Sequence, residues 1–316
     1  MDQKSKHLNE AFISITKSAE EMGAVKDMAQ TYLRQKIRED SFFRIILPPQ
    51  IVSRAETVRS TKHRSVVMIK DIEPDTPAAI PIDFRGSTES QYIVGDRYEI
   101  PFMQISSKEM QIKQYELLSY EMPITDVIRQ HTEKEIAKAE DQAFMNAVKA
   151  ALTISGNTVQ AQTGGVSLQT GQVLPVTKKH FAELFKKHDA KRLKSAYLLI
   201  PLAMYEDIVA WDYSLLGNEL VKEVTIGGYS YPTLMGRQII VTNKDDLVPA
   251  NVAYAFTSQE YLGHSFLLEE DLVFDMIREY DLFRFKGWEL IAAGIGNANA
   301  VAKLELPVGE LPVGGG

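Results

Sequence analysis

The chain has 316 residues, 45% hydrophobic and 24% charged, a globular composition long enough to bury a sizeable core. It has no cysteine, which excludes disulfides, thiolate zinc sites and cysteine nucleophiles. Its net charge of -7 argues against a dedicated nucleic-acid binder, because phosphate neutralisation needs clustered Lys and Arg. No apolar run approaches the roughly 20 residues of a membrane span. The polar start MDQKSKHLNE is not patterned as a signal peptide, so a soluble, intracellular chain without a membrane partner is expected.

From the N-terminus, Leu8, Phe12, Ile15, Ala19 and Met22 alternate in spacings of four and three, the pattern of an amphipathic helix. Gly23 interrupts it, and a second helical stretch from Val25 leads to Phe42, Phe43 and the apolar IILPP at 45–49. This segment either packs on its own domain or serves as an arm on a neighbouring subunit, since it precedes any plausible core.

At 63–72, HRSVVMIKDI is rich in β-branched residues, and YEIPFMQIS at 98–106 with KEMQIK at 108–113 alternates apolar and polar positions, so both regions are expected as strands. Between them, EPDTPAAIPIDFRGSTESQYIVGDR holds prolines and glycines and little that could make a core of its own. Loops of that length are uncommon inside compact domains. If its two sides run out as a hairpin, about 15 residues per arm at roughly 3.3 Å each reach some 50 Å, far enough to rest on another molecule.

The strongest helical pattern follows at 123–152. Pro123 suits a first helical position, Asp126 suits the first turn, and Ile124, Val127, Ile128, Ile136, Ala139, Ala143, Phe144, Ala147, Val148 and Ala151 share one face, with Gly156 as a natural stop. The small, polar stretch 155–175 is expected as a surface loop or short hairpin. A helix is expected over about 177–190, a buried strand at 196–200, a helix opening at Pro201, a hairpin over 221–232 and further strands at 237–243, 252–258, 270–278 and 286–296. This order is α+β rather than alternating βαβ units. The terminal ELPVGELPVGGG repeats Glu305–Gly309 as Glu310–Gly314 and is expected to be a flexible tail.

Candidate chemistry is sparse. His131 and Glu135 lie four apart on the long helix, as metal ligands can, but no further His is near to complete a site. Glu133, Glu135, Glu140 and Asp141 intermingle with Lys134 and Lys138 as on a solvated helix face. Lys178, Lys179, Lys186, Lys187, Lys191, Arg192 and Lys194 crowd one stretch, again expected as a solvated helix face, with a local basic surface as the alternative. The acidic run Glu269, Glu270 and Asp271 lacks calcium-loop spacing. The glycines of TGGVSLQTGQ match neither GxxxxGK[ST] nor GxGxxG, and neither GxSxG nor HExxH occurs. No catalytic residue, cofactor or metal is expected. A soluble enzyme with an unrecognised site is the remaining alternative from that class.

The order of these pieces resembles the tailed-bacteriophage major capsid proteins of the Hong Kong 97 type. YELLSYEMPITDVIRQHTEKEIAKAEDQAFMNA at 115–147 is similar to that family's passage into its spine helix, where an acidic residue precedes a buried aromatic, here Asp141 and Phe144. LLIPLAMYEDIVAWD at 198–212 resembles the start of its axial domain, and LMGRQIIVTNKDDLVPANVAYAFTSQEYL at 234–262 its Gly, strand, acidic turn and strand. FRFKGWELIAAGIGNANAVAKLEL at 283–306 resembles its closing strands.

The resemblance implies an N-terminal arm at 1–62, an extended loop of two long strands at 63–113, and a peripheral domain at 114–195 holding the spine helix 123–152. It further implies an axial domain at 196–282, return strands of the peripheral domain at 283–306 and a tail at 307–316. It implies a structural, non-enzymatic subunit that assembles with itself into the pentamers and hexamers of a virion shell, built in the host cytoplasm. Portal, scaffold or decoration proteins and non-specifically packaged DNA would be its partners; an encapsulin-type nanocompartment is the runner-up. Asp83, Arg85, Glu89, Asp96 and Arg97 on the extended loop are the candidate inter-subunit contacts. Two departures stand out. Asn146 is followed by Ala147 where relatives often have Gly, and no lysine occurs between Lys70 and Lys108, so a lysine crosslink from the loop is not expected.

Overall fold

The computed structural model describes residues 41–60, 65–74, 92–93, 95–119, 124–161, 175–211, 233–269 and 272–307. The amphipathic N-terminal stretch, the hairpin expected at 221–232, the centre of the polar loop and the repeated tail lie outside them, as do Asp83, Arg85 and Glu89.

The described helices are α1 (Phe42–Ile46), α2 (Gln114–Ser119), α3 (Ile124–Ser155), α4 (Lys178–Asp189), α5 (Leu202–Val209) and α6 (Gln259–Leu262). The strands before the long helix are β1 (Gln50–Val52), β2 (Val58–Ser60), β3 (Ser65–Asp71), β4 (Arg97–Pro101), β5 (Met103–Ser106) and β6 (Met110–Lys113). After it come β7 (Thr158–Gln160), β8 (Ser195–Pro201), β9 (Thr233–Leu234), β10 (Arg237–Thr242), β11 (Val252–Thr257), β12 (Gly263–Leu268), β13 (Val273–Glu279), β14 (Leu282–Ile295) and β15 (Val301–Glu305).

Helix α3 organises the molecule. Its 32 residues span about 48 Å at ~1.5 Å per residue. Ile136, Phe144, Met145, Val148 and Leu152 form its buried stripe. Gly156 ends it in the left-handed region at φ +64°, with its N–H still bonded to the Leu152 carbonyl at 2.9 Å. A residue with a Cβ is strained in that conformation, which is why the helix stops there.

Under α3 runs β14, 14 residues long, whose inward positions Phe283, Phe285, Gly287, Glu289 and Ile291 alternate with more exposed ones. It pairs antiparallel with β12, β13, β5 and β6, and β1 adds to β12 in parallel, making a six-stranded sheet. Helix and sheet approach so closely that a Cβ on Gly287 would lie 2.4 Å from Thr132 Cγ2. A second six-stranded sheet has the order β7-β15-β11-β8-β10-β9.

One face of this second sheet joins α1, α3 and the first sheet in the main core through Leu199, Ile240, Val252, Tyr254, Phe256 and Val301. Its other face, with Leu198, Ile200, Ala253, Ala255, Ala302 and Leu304, is covered by Phe181, Leu184 and Phe185 of α4 and Met204 and Ile208 of α5. A three-stranded antiparallel sheet, β2-β3-β4, carries the base of the extended segment. Met68, Ile100 and Phe102 pack there on Val52, Phe266, Leu268 and Ala292 of the first sheet.

The strands do not divide along the boundaries expected from the sequence. β12 and β13, assigned to the axial stretch 196–282, pair with β14 beneath the spine helix. β15, placed with β14 among the return strands at 283–306, pairs with β11 and β7 in the second sheet. β5 and β6, inside the 63–113 loop, are also partners of β14. Partner choice depends on which face finds burial in three dimensions, and strand periodicity carries no information about it.

The 1–62 arm needs a similar correction. Phe42, Phe43, Ile46 and Leu47 are fully buried in the main core, so 41–47 belongs to the body of its own subunit. Within 155–175, β7 is a strand where a loop or short hairpin was expected.

Phe144 links three parts of that core: its ring lies 5.1 Å from Phe43 on α1 and 5.6 Å from Phe256 on β11. Phe144→Ala is expected to cost about 3–5 kcal/mol, the range for a fully buried aromatic that leaves a cavity. Denaturant unfolding of wild type and variant measures it.

Candidate functional site

Two features lie where the described residues border the segments 1–40 and 75–91: a buried ionic cluster beside α1, and the β3–β4 strand pair.

The cluster is built on α3. Helical geometry puts Glu140 four residues after Ile136 and four before Phe144, on the core-facing stripe, and Asp141 lies beside it. Their side chains have no solvent exposure. This corrects the solvated-face expectation for these two carboxylates; Lys134, Glu135 and His131 on the same helix are exposed. Each buried carboxylate draws a cation from a distant segment.

Arg44 of α1 forks onto Glu140, with Nε donating to Oε2 at 2.9 Å and Nη2 to Oε1 at 2.6 Å, and Nη2 also donates to Glu289 Oε2 on β14 at 3.1 Å. Lys244, in the turn after β10, donates to Asp141 Oδ2 at 2.5 Å and lies 5.6 Å over the Phe42 ring. The other carboxylate oxygen, Oδ1, accepts Ser41 Oγ at 3.0 Å and the Phe43 backbone N–H at 2.9 Å. Asp141 therefore caps the start of α1 from outside, satisfying an N–H that Ser41's own side chain leaves free. At the rim, Lys138 pairs with Asp246 of the same turn at 2.7 Å.

Burial outweighs the donors around Asp141 and pushes its carboxyl up to about 6, from 3.8 for a free side chain. An acid with a raised folded pKa holds its proton more tightly in the folded chain. Its contribution to stability is full below its unfolded pKa and is lost as pH rises through about 6.

The loop base is the β3–β4 pair, in register from Val67↔Pro101 to Asp71↔Arg97. Tyr98 and Ile100 fix it to the body. The Tyr98 hydroxyl lies 2.6 Å from His264 Nδ1. Burial raises the Tyr98 phenol and lowers the His264 imidazole, the latter helped by Lys70 nearby, so the contact joins two neutral groups. Ile100 packs against Gly294, where an added Cβ would meet the isoleucine at 3.0 Å.

Among the described residues beyond this anchor, apolar and charged side chains are exposed together: Ile72 at 40%, Ile93 at 69% and Tyr92 at 97%, beside Asp71, Glu73 and Asp96. Of the two described loop candidates, Asp96 is exposed and its carbonyl accepts Ile72 N–H at 2.8 Å. Arg97 pairs with Asp71 of the facing strand at 2.7 Å, a link within the strand pair. Both partners are mostly exposed, and such a pair contributes little.

A Ser–His contact also occurs: His188 Nδ1 lies 2.8 Å from Ser195 Oγ. Burial pushes this imidazole down to about 4, and both residues are sealed from solvent, so the pair joins α4 to β8 and no substrate reaches it. Among the described residues, no three His, Cys, Asp or Glu side chains gather as a metal site, and no helix is long and apolar enough to cross a membrane.

Two outcomes test the cluster. Arg44→Met strands two buried carboxylates and is expected to cost about 3–5 kcal/mol, whereas adding Glu140→Leu and Glu289→Leu recovers most of that loss; denaturant midpoints of the three proteins decide it. Between about pH 4 and pH 7, wild type is expected to lose on the order of 2–3 kcal/mol relative to Asp141→Asn. Unfolding both across that range checks it, and parallel profiles would contradict the assigned ionisation.

No protein-family model matches the chain, and no curated protein does. Solved structures do. One from Microbacterium phage Oxtober96 superposes with a TM-score of 0.59 at 12% identity, covering 84% of this chain and 91% of the other. The capsid structure of Cyanophage P-SCSP1u gives 0.56 at 13% identity over 85% and 88%. A virus-like particle from Pyrococcus furiosus gives 0.52 at 14% identity over 89% and 99%. At such identities the likeness speaks for architecture, and the chain has the α+β fold of Hong Kong 97-type capsid subunits.

Proposed function

We propose that this chain is the major capsid protein of a tailed bacteriophage, a structural and non-enzymatic subunit. It assembles with itself into pentamers and hexamers of an icosahedral head that encloses double-stranded DNA. The observation that carries this is the match over nearly the full length of both chains, 85% of this one and 88% of the cyanophage capsid structure, with no large part left over for another activity.

The loop base supports it physically. Tyr92 at 97% exposure and Ile93 at 69% are left uncovered by the described residues, and in this proposal a neighbouring subunit covers them. In this proposal 1–40 is an arm on neighbouring subunits, and the segment between β3 and β4 overlaps an adjacent one. Asp83, Arg85, Glu89, Asp96 and Arg97 supply weak charge pairs that are repeated over the lattice. The shell is held by non-covalent contacts, is built in the host cytoplasm and works as part of the virion. Portal, scaffold and decoration proteins are its further partners.

A second reading, a nanocompartment shell around protein cargo, is favoured by the match to the Pyrococcus furiosus virus-like particle, whose chain is covered to 99%. Electron microscopy of the purified protein is expected to reveal closed shells or capsomer rings. A monodisperse small oligomer under all assembly conditions would overturn both readings. Particles emptied of nucleic acid but filled with a co-purifying protein would select the second.

A further inference from the structure

Helix α4 and the turn that follows it carry charge that the fold does not use. Between Lys178 and Lys194 stand seven Lys and Arg against only Glu183 and Asp189, a local net charge of +5 in a chain whose total is -7. The apolar side of the helix, Phe181, Leu184 and Phe185 with His188, is buried on the second sheet. That leaves the lysines on the outer side of the layer, away from α3 and the main core. Lys179, Lys186, Lys191, Arg192 and Lys194 are exposed, and none of the seven has an ion-pair partner among the described residues.

Cations in the last turn of a helix complement its dipole, which accounts for Lys186 and Lys187. It does not account for Lys179 at the other end, or for Lys191, Arg192 and Lys194 beyond the helix. Like charges crowded this way repel one another, and a bound polyanion would relieve that repulsion.

We infer that the α4 face and its following turn form a nucleic-acid contact surface, binding the phosphate backbone of double-stranded DNA without regard to sequence. The inference rests on the shell reading for the identity of the polyanion and adds which surface of the subunit meets it. Three properties favour DNA over an acidic protein. Four of the cations lie along a helix of 12 residues, about 18 Å, and three follow it in the adjoining turn, a span long enough to face some five phosphates of one strand. No large hydrophobic side chain is exposed from 175 to 195 to anchor a folded partner, as protein interfaces require. Six amines and one guanidinium outnumber the two carboxylates Glu183 and Asp189, and phosphate neutralisation needs no more than such an excess of cations. The acidic remainder of the chain repels DNA and orients the subunit with this face toward it.

The test compares the whole chain with a variant carrying Lys179→Gln, Lys186→Gln and Lys191→Gln, all at exposed positions, with circular dichroism confirming that both are folded. Fluorescence anisotropy with a duplex of about 30 base pairs, titrated from about 50 mM NaCl upward, reads affinity and its salt dependence. Wild type is expected to bind at low salt. The variant should bind at least about tenfold more weakly, with a log–log salt slope shallower by about 2.7, the loss of three phosphate contacts. Equal affinity and slope in the two proteins, or no binding by wild type at low salt, overturns the inference. Displacement by poly-glutamate more effective than by unlabelled duplex of equal charge reassigns the face to an acidic protein and also overturns it. Microscopy of the same two samples separates the failures. Normal shells with unchanged DNA binding in the variant refute only this surface, whereas absent shells with lysine-dependent DNA binding refute only the shell.

Discussion

Two adjacent carboxylates in the middle of a helix, sealed from water, constrain the structure around them. Burying a charge is costly unless it is paired and fully hydrogen-bonded. Glu140 and Asp141 meet that requirement only if α1 and the turn after β10 deliver Arg44 and Lys244 to one place, where Arg44 also serves Glu289 of β14. The cluster thus specifies how the N-terminal segment, the first sheet and the second sheet meet at α3. It selects one arrangement among several that hydrophobic burial alone would allow. The aromatic contacts of Phe144 with Phe43 and Phe256 lie beside it and bury the same junction.

The extensions leave the body next to these rigid points. The chain reaches the cluster directly after residue 40, and Asp141 holds the first turn of α1 by its Phe43 N–H. The extended segment leaves from β3 and β4, where Tyr98 and Ile100 are held by His264 and the glycine-lined end of β14. The basic face of α4 lies on the opposite side of the second sheet from α3, so contact with a polyanion there leaves the anchors untouched.

Much of the fold was legible locally. The 3.6-residue stripe of α3, its stop at Gly156, the strands at β8, β10 and β11 and the helix after Pro201 follow from periodicity and backbone chemistry. The buried acids were misjudged because Lys134 and Lys138 alternate with them along the chain. The positional clue was present, since Ile136, Glu140, Phe144 and Val148 recur at intervals of four, the spacing of one helical face. Nothing in 50–52 or 158–160 announced β1 or β7, because three-residue strands are too short for a period to emerge and exist only through their partners β12 and β15.

By itself the sequence determined what short-range physics governs: no thiol chemistry, one very long helix, a stretch rich in proline and glycine between two strands, and a concentrated positive stretch. The tertiary structure decided what depends on contacts between distant residues: which sheet each strand enters, that 41–47 belongs to the core, that Arg97 is held by Asp71, and which carboxylates lie buried beside which cations. The physical reason is range. Helix and strand periods arise from neighbours within a few positions, whereas Arg44 meets Glu289 across 245 residues, and only the packed chain brings such pairs together.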